Sequence, residues 1–220
     1  RHRGAQEMDD PRDEGEWTET IKDDRKVRLE RYTTHVRKSY RDFRRLKRAW
    51  QNHVVLAYME LAVIPQAYWM TKPGKGRWGF VAMEDLKGKG EELDRYLDDI
   101  YDSLNQRERR SLIDRLAAFL IGLFDMAVTH RDLKGCNIFS KKDGTFMLLD
   151  VEDSELRRIS DREARRMLVQ LNTTLPARIT AEDRIRVFLR LVPSLGVERG
   201  VQKRSLLRAI ASASARETIV

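Results

Sequence analysis

The run His130-Arg131-Asp132-Leu133-Lys134-Gly135-Cys136-Asn137 places a carboxylate, an ammonium group and an amide oxygen within six residues, and a further aspartate ends Leu148-Leu149-Asp150. The spacing is H-R-D-x-x-x-x-N, and its side chains suit transfer of a phosphoryl group to a hydroxyl. Such a transfer leaves little covalent work to a protein. It needs a positioned nucleophile, a cation against the phosphates and neutralisation of developing charge. Asp132 is the expected catalytic residue that accepts the hydroxyl proton. Lys134, two residues on and therefore on the same side of an extended loop, is expected to lean on the transferring phosphate. Asn137 and Asp150 offer oxygen ligands to Mg²⁺, a hard cation that takes carboxylate and carbonyl oxygens and keeps several waters. His130 and Arg131 read as braces of the loop.

A loop of this kind has to be held by regular elements on both sides. Before it, residues 107–127 predict a helix with Leu112, Leu116, Phe119, Leu120 and Leu123 on one face. After it, strands are predicted over 138–140 and 146–150, around the turn Lys141-Lys142-Asp143-Gly144, followed by helices near 161–172, 180–191 and 201–213. Farther upstream, residues 17–21 and 26–32 alternate apolar and charged side chains around Lys22-Asp23-Asp24, as a hairpin does. Val36, Tyr40, Phe43, Leu46 and Trp50 recur at three- and four-residue steps and predict one long helix over 36–60. A second hairpin is expected from 66–70 and 78–84, then a polar connection over 85–90 and a helix over 91–101. Gly74-Lys75-Gly76-Arg77-Trp78-Gly79 satisfies G-x-G-x-x-G, yet it opens no helix and follows the long one, so it reads as the turn of that hairpin. No internal repeat and no low-complexity tract is present.

Strands with one helix, a connector, then mostly helices predict an α+β chain, and with the H-R-D-x-x-x-x-N loop this order resembles a two-lobed protein-kinase-like fold. The small sheet-plus-helix N-lobe is expected over 1–85, and the mostly helical C-lobe with the catalytic loop over 86–220. In such a fold the connector grips adenine through its backbone, which makes Glu84 and Leu86 of Met83-Glu84-Asp85-Leu86 the expected ATP-binding positions.

Composition narrows the class. Across 220 residues, hydrophobic residues make up 41% and charged residues 35%, a folded balance with a heavily solvated surface. The longest apolar stretches fall short of the ~20 residues that a membrane span needs. A formal charge of +8 favours an anionic partner, and much of the excess crowds the predicted helix as Arg37, Lys38, Arg41, Arg44, Arg45, Lys47 and Arg48. One cysteine, Cys136, excludes an internal disulfide and a cysteine-based zinc site, and fits a reducing cytoplasm. The chain opens on Arg1 rather than Met, as a trimmed N-terminus does.

The catalytic loop, Leu149-Asp150-Val151-Glu152-Asp153, and the two later runs over 165–172 and 180–189 resemble the bacterial lipopolysaccharide kinase family, with a looser likeness reaching back to about Trp17. The resemblance implies ATP and Mg²⁺ as cosubstrates and phosphorylation of a sugar hydroxyl, 3-deoxy-manno-octulosonic acid or heptose of the lipopolysaccharide core or a similar glycolipid. It also implies peripheral work at the cytoplasmic face of the anionic inner membrane, which the basic helix would suit. An ordinary protein kinase is disfavoured, because no A-P-E segment follows Asp150 and Val151-Glu152 stand in place of Phe-Gly. Two positions depart from the family pattern. Its ATP-binding lysine matches Glu30, and the helix partner of that lysine matches Gln51, with Lys26 or Arg28 as substitutes for the cation. These departures motivate a competing reading, a pseudokinase that binds nucleotide or a partner. A small-molecule kinase for an antibiotic or metabolite is a third. No zinc finger or RNA-recognition motif is present, so no nucleic-acid partner is expected.

Overall fold

A computed structural model describes residues 15–59, 63–74, 78–195 and 200–217. The chain forms two compact units, one from Arg1–Val55 with Pro65–Asp85, the other from Leu56–Ile64 with Leu86–Val220.

The first unit is an antiparallel sheet with one helix. Strands β1 (Trp17–Asp23), β2 (Val27–Tyr32), β3 (Val36–Tyr40), β4 (Ala67–Thr71) and β5 (Gly79–Met83) lie in the order β1-β2-β3-β5-β4. Both predicted hairpins form, β1 with β2 and β4 with β5. Lys75 to Arg77, in the loop of the second, lie outside the described residues.

The long helix expected over 36–60 is shorter than the pattern suggested. Residues 36–40 are strand β3, and helix α1 runs over Phe43–Tyr58. Val36 and Tyr40, four apart, share a face in a helix and in a strand alike, so their spacing could not separate the two. What decides is position in the sheet. β3 is bonded on both edges, to β2 and β5, and all five of its residues are buried. Asp42 then starts α1, its carboxylate accepting from the Arg44 N–H (2.8 Å) and its carbonyl from Leu46 (3.0 Å). Leu46 and Ala49 of α1 bury against Val27, Tyr40 and Val81 of the sheet.

The second unit is built around helix α3 (Gln106–Asp125). Asn105 and Glu108 close a capping box at its start, and Leu112, Ile113, Leu116, Leu120 and Leu123 are buried along it. Each fully buried leucine contributes roughly 1.5–3 kcal/mol of transfer free energy. The same core takes Leu97 from helix α2 (Leu93–Ile100), Met167, Leu168 and Leu171 from α4 (Asp161–Thr174), Val187 and Phe188 from α5 (Ala181–Leu191), and Ile210 from α6 (Gly200–Glu217).

Two small sheets complete this unit. Strands β6 (Gly90–Glu92), β8 (Ile138–Lys141) and β9 (Phe146–Leu148) form one, and β7 (Val128–His130) pairs antiparallel with β10 (Ser154–Leu156) in the other. The first three residues of the helix expected over 91–101 thus divide between β6 and α2. β9 stops at Leu148, short of Asp150, because Asp150 turns left-handed (φ 51°). β7 and β10, three residues each, are too short to show a period and were not expected. Among the described residues no helix is long and apolar enough to cross a membrane.

Candidate active site

Every sequence-predicted loop residue sits between β7 and the turn Val151–Asp153, in the second unit. Its organiser is His130, buried at the end of β7. The Asp132 N–H donates to His130 Nδ1 (3.2 Å). A backbone N–H can only donate, so Nδ1 is the bare nitrogen and Nε2 carries the proton. Nε2 faces two acceptors, the carbonyls of Leu149 and Asp150, each at 3.2 Å. One ring therefore joins the loop that holds Asp132 to the segment that holds Asp150.

The Lys134 ammonium lies 2.9 Å from Asp132 Oδ1, and both side chains are 41% exposed. Asn137 Nδ2 donates to the Asp132 carbonyl at 2.7 Å. That carbonyl only accepts, so the amide nitrogen must face it and Asn137 Oδ1 is turned the other way. The Asn137 N–H closes a turn onto the Lys134 carbonyl (3.0 Å), and the Asn137 carbonyl accepts from the Leu149 N–H (2.8 Å). Asp150 follows at once. Its left-handed backbone is one that aspartate tolerates better than most residues, and its carbonyl accepts from the Asp153 N–H (2.9 Å). Asp132, Lys134, Asn137 and Asp150 are thus held by one set of hydrogen bonds in a single unit.

The donor set fits magnesium. One carboxylate and one amide oxygen match a cation that binds through one or two protein groups and completes its shell with phosphate and water. Among the described residues no cluster of three or more His, Cys, Asp or Glu offers a competing all-protein metal cage. Nearby charge is acidic. Burial pushes the Glu92 carboxyl up, opposed by Arg95 and reinforced by the carboxylates of Asp94 and Asp150. Burial also raises the Cys136 thiol, helped by Asp94 and Glu92, which keeps it protonated and makes it a poor nucleophile.

Glu84 and Leu86 lie on the segment joining the two units. The Glu84 N–H donates to the Gln66 carbonyl (2.8 Å), and the Leu86 carbonyl accepts from Lys89 (3.0 Å).

Lys38 is a further candidate cation, one the sequence did not single out. A helix over 36–40 leaves the second strand, at Glu30 or its neighbours, as the expected place for a phosphate-binding cation. Lys38 instead occupies the middle of β3, 8% exposed, in register with Leu29 and Val81. Val81 packs in the core that α1 covers, so Lys38 stands on the α1 side of the sheet. Glu30 is paired with Arg37 on the opposite side. Arg28 is bonded to Asp23 (3.0 Å) and Lys26 is exposed in the first turn. The alternation Val36-Lys38-Tyr40 ahead of the capping Asp42 was the available signal.

Residues 7–190 match the Lipopolysaccharide kinase (Kdo/WaaP) family. The chain belongs to that family. Its members are kinases that act on lipopolysaccharide core sugars. Among solved structures, WaaP in complex with acyl carrier protein is similar with a TM-score of 0.67 at 17% identity, over 93% of this chain and 87% of that one. The bifunctional kinase-methyltransferase WbdD is similar with a TM-score of 0.56 at 15% identity, over 93% of this chain and 51% of that one. Both carry the same mixed fold, an antiparallel sheet followed by helices, as this member of the lipopolysaccharide kinase family. No curated protein matches the chain.

Proposed function

We propose that the chain is an active ATP-dependent phosphotransferase whose acceptor is a sugar hydroxyl of the lipopolysaccharide core or a similar glycolipid. The observation that carries this is the Asp132–Lys134 pair at 2.9 Å, tied through His130 and Asn137 to Asp150. Asp132 orients the acceptor hydroxyl and takes its proton as the new bond forms. Lys134 stays beside it to neutralise charge on the transferring phosphoryl group. Asn137 Oδ1 and the Asp150 carboxylate would hold magnesium, which when bound neutralises phosphate charge. Lys38 is the cation we assign to the phosphates from the sheet. With its N–H already bonded, Glu84 would meet adenine through its carbonyl, and Leu86 through its N–H. The two units serve as the N-lobe and C-lobe.

Mg²⁺-ATP titrated against melting temperature, with phosphate transfer to core-sugar acceptors followed in parallel, tests this reading. Saturable stabilisation that shrinks in Asp150→Ala is expected. Turnover should fall by about 10²- to 10⁴-fold in Asp132→Ala. Folded variants with undiminished turnover would sink it.

One observation favours the pseudokinase reading. Gln51 of α1 stands where the family resemblance expects the acidic partner of the phosphate-binding lysine. Nucleotide binding without transfer to any core sugar would decide for it.

The same helix supports peripheral contact with an anionic membrane. It carries Arg44, Arg45, Lys47 and Arg48 near its start and exposes Phe43, Val54 and Val55.

A further inference from the structure

Two polar side chains on α4, Gln170 and Thr174, stand one helical turn apart on the same face and reach the catalytic loop at two places. Gln170 Nε2 donates to the Arg131 carbonyl at 3.1 Å. Thr174 Oγ1 accepts from the Gly135 N–H at 2.9 Å. The direction of the second bond is fixed, since a backbone N–H can only donate, and the threonine hydroxyl gives its own proton to the α4 carbonyls of Gln170 (2.9 Å) and Leu171 (3.1 Å).

These contacts complete two peptide planes. In the plane joining Arg131 to Asp132, Gln170 holds the carbonyl and His130 Nδ1 holds the N–H. In the plane joining Lys134 to Gly135, the Asn137 N–H holds the carbonyl and Thr174 holds the N–H. Asp132 and Lys134 lie between two planes that cannot rotate without breaking bonds on both sides. Gln170 pays for its contact: its Oε1 is buried with no hydrogen-bond partner among the described residues. A glutamine present only for packing would have no reason to accept that. Gly135 also packs closely on α2, where a Cβ at this position would come within 2.9 Å of the Asp94 Cβ, so the loop is in close contact with α2 as well as bonded to α4.

We propose that Gln170 and Thr174 are positioning residues for phosphoryl transfer, fixing Asp132 and Lys134 relative to each other without touching the reactants. This rests on the reading of Asp132 as the group that orients the hydroxyl. The role predicts loss of turnover with little loss of nucleotide affinity, because both side chains bond loop backbone at Arg131 and Gly135.

The test compares Thr174→Val, Thr174→Ser and Gln170→Leu with the parent. One arm measures kcat and the KM for ATP, using a lipid acceptor that bears 3-deoxy-manno-octulosonic acid. The other measures amide hydrogen exchange across residues 131–137 and across α4. Thr174→Val and Gln170→Leu should each lower kcat by about 10²-fold, with KM for ATP changed by no more than about twofold. Thr174→Ser keeps the acceptor oxygen and should restore kcat. Loop amides should exchange faster in the two damaging variants while α4 stays protected. Faster loop exchange with unchanged kcat overturns the proposal, as does a kcat loss that Thr174→Ser fails to restore. An inactive parent defeats the phosphotransferase reading instead, and the exchange arm still decides the anchoring: unaltered loop exchange in both variants refutes it. Gln170→Leu, on a partly exposed side chain, keeps the test alive if Thr174→Val does not fold.

Discussion

A neutral histidine does more in this loop than the aspartate beside it suggests. His130 accepts from one backbone N–H and presents its own N–H to two carbonyls, so its tautomer is set by main chain alone. Lys38 carries the residue-scale prediction. Lys38→Met keeps the packed stem and removes the charge, and turnover should fall by about 10²-fold or more. Glu30→Ala, on the other side of the sheet, should leave turnover within about twofold. Parallel kinetics on the two variants check this, and equal losses would return the phosphate-binding role to β2.

At the scale of elements, α4 is secured at both ends. Its first turn is closed by Ser160 and Glu163, and Glu163 also binds Arg157, which binds Glu155, which binds Arg131 of the catalytic loop. Hydrogen bonds from the Ser160 hydroxyl, then from Arg157, hold the Glu163 carboxyl down at about 2. A depressed carboxyl stabilises the fold above its unfolded value, near 4.5, and loses that effect as pH falls towards 2. Glu163→Gln should therefore lower the melting temperature at neutral pH, with the gap from the parent closing between about pH 4.5 and pH 2. Thermal scans across that range measure it. Past the other end of α4, Arg184 donates to the carbonyls of Asn172 (2.6 Å), Leu175 (3.1 Å), Pro176 (2.7 Å) and Ile179 (3.0 Å). Lysine cannot reproduce that fork, so Arg184→Lys should cost about 1–3 kcal/mol in urea unfolding. What the sequence disclosed follows the same division. Asp132, Lys134, Asn137 and Asp150 were legible because their chemistry is local, within a spacing that one loop and one hairpin dictate. Lys38 was hidden because Val36 and Tyr40 satisfy two periods at once. Gln170 and Thr174 were hidden because polar residues on a helix look like solvated surface until the element they face is known.

For the whole molecule, the formal charge of +8 is unevenly spread, and α1 has four cations near its start with no acid. Binding to vesicles with anionic lipid should exceed binding to neutral vesicles and weaken as salt rises. Arg44→Glu with Lys47→Glu should reduce it further, by roughly 1 kcal/mol for each cation lost, with co-sedimentation as the measure. Salt-independent binding would point to the exposed Phe43, Val54 and Val55 instead. A different kind of consequence attaches to Asp150. Its left-handed backbone admits asparagine and glycine at least as readily as aspartate and resists branched residues. One nucleotide change to either could silence the proposed metal site while leaving the surrounding bonds in place. Descendants of such a chain would keep its shape, its surface and its stability, and only this position would tell a working copy from a mute one.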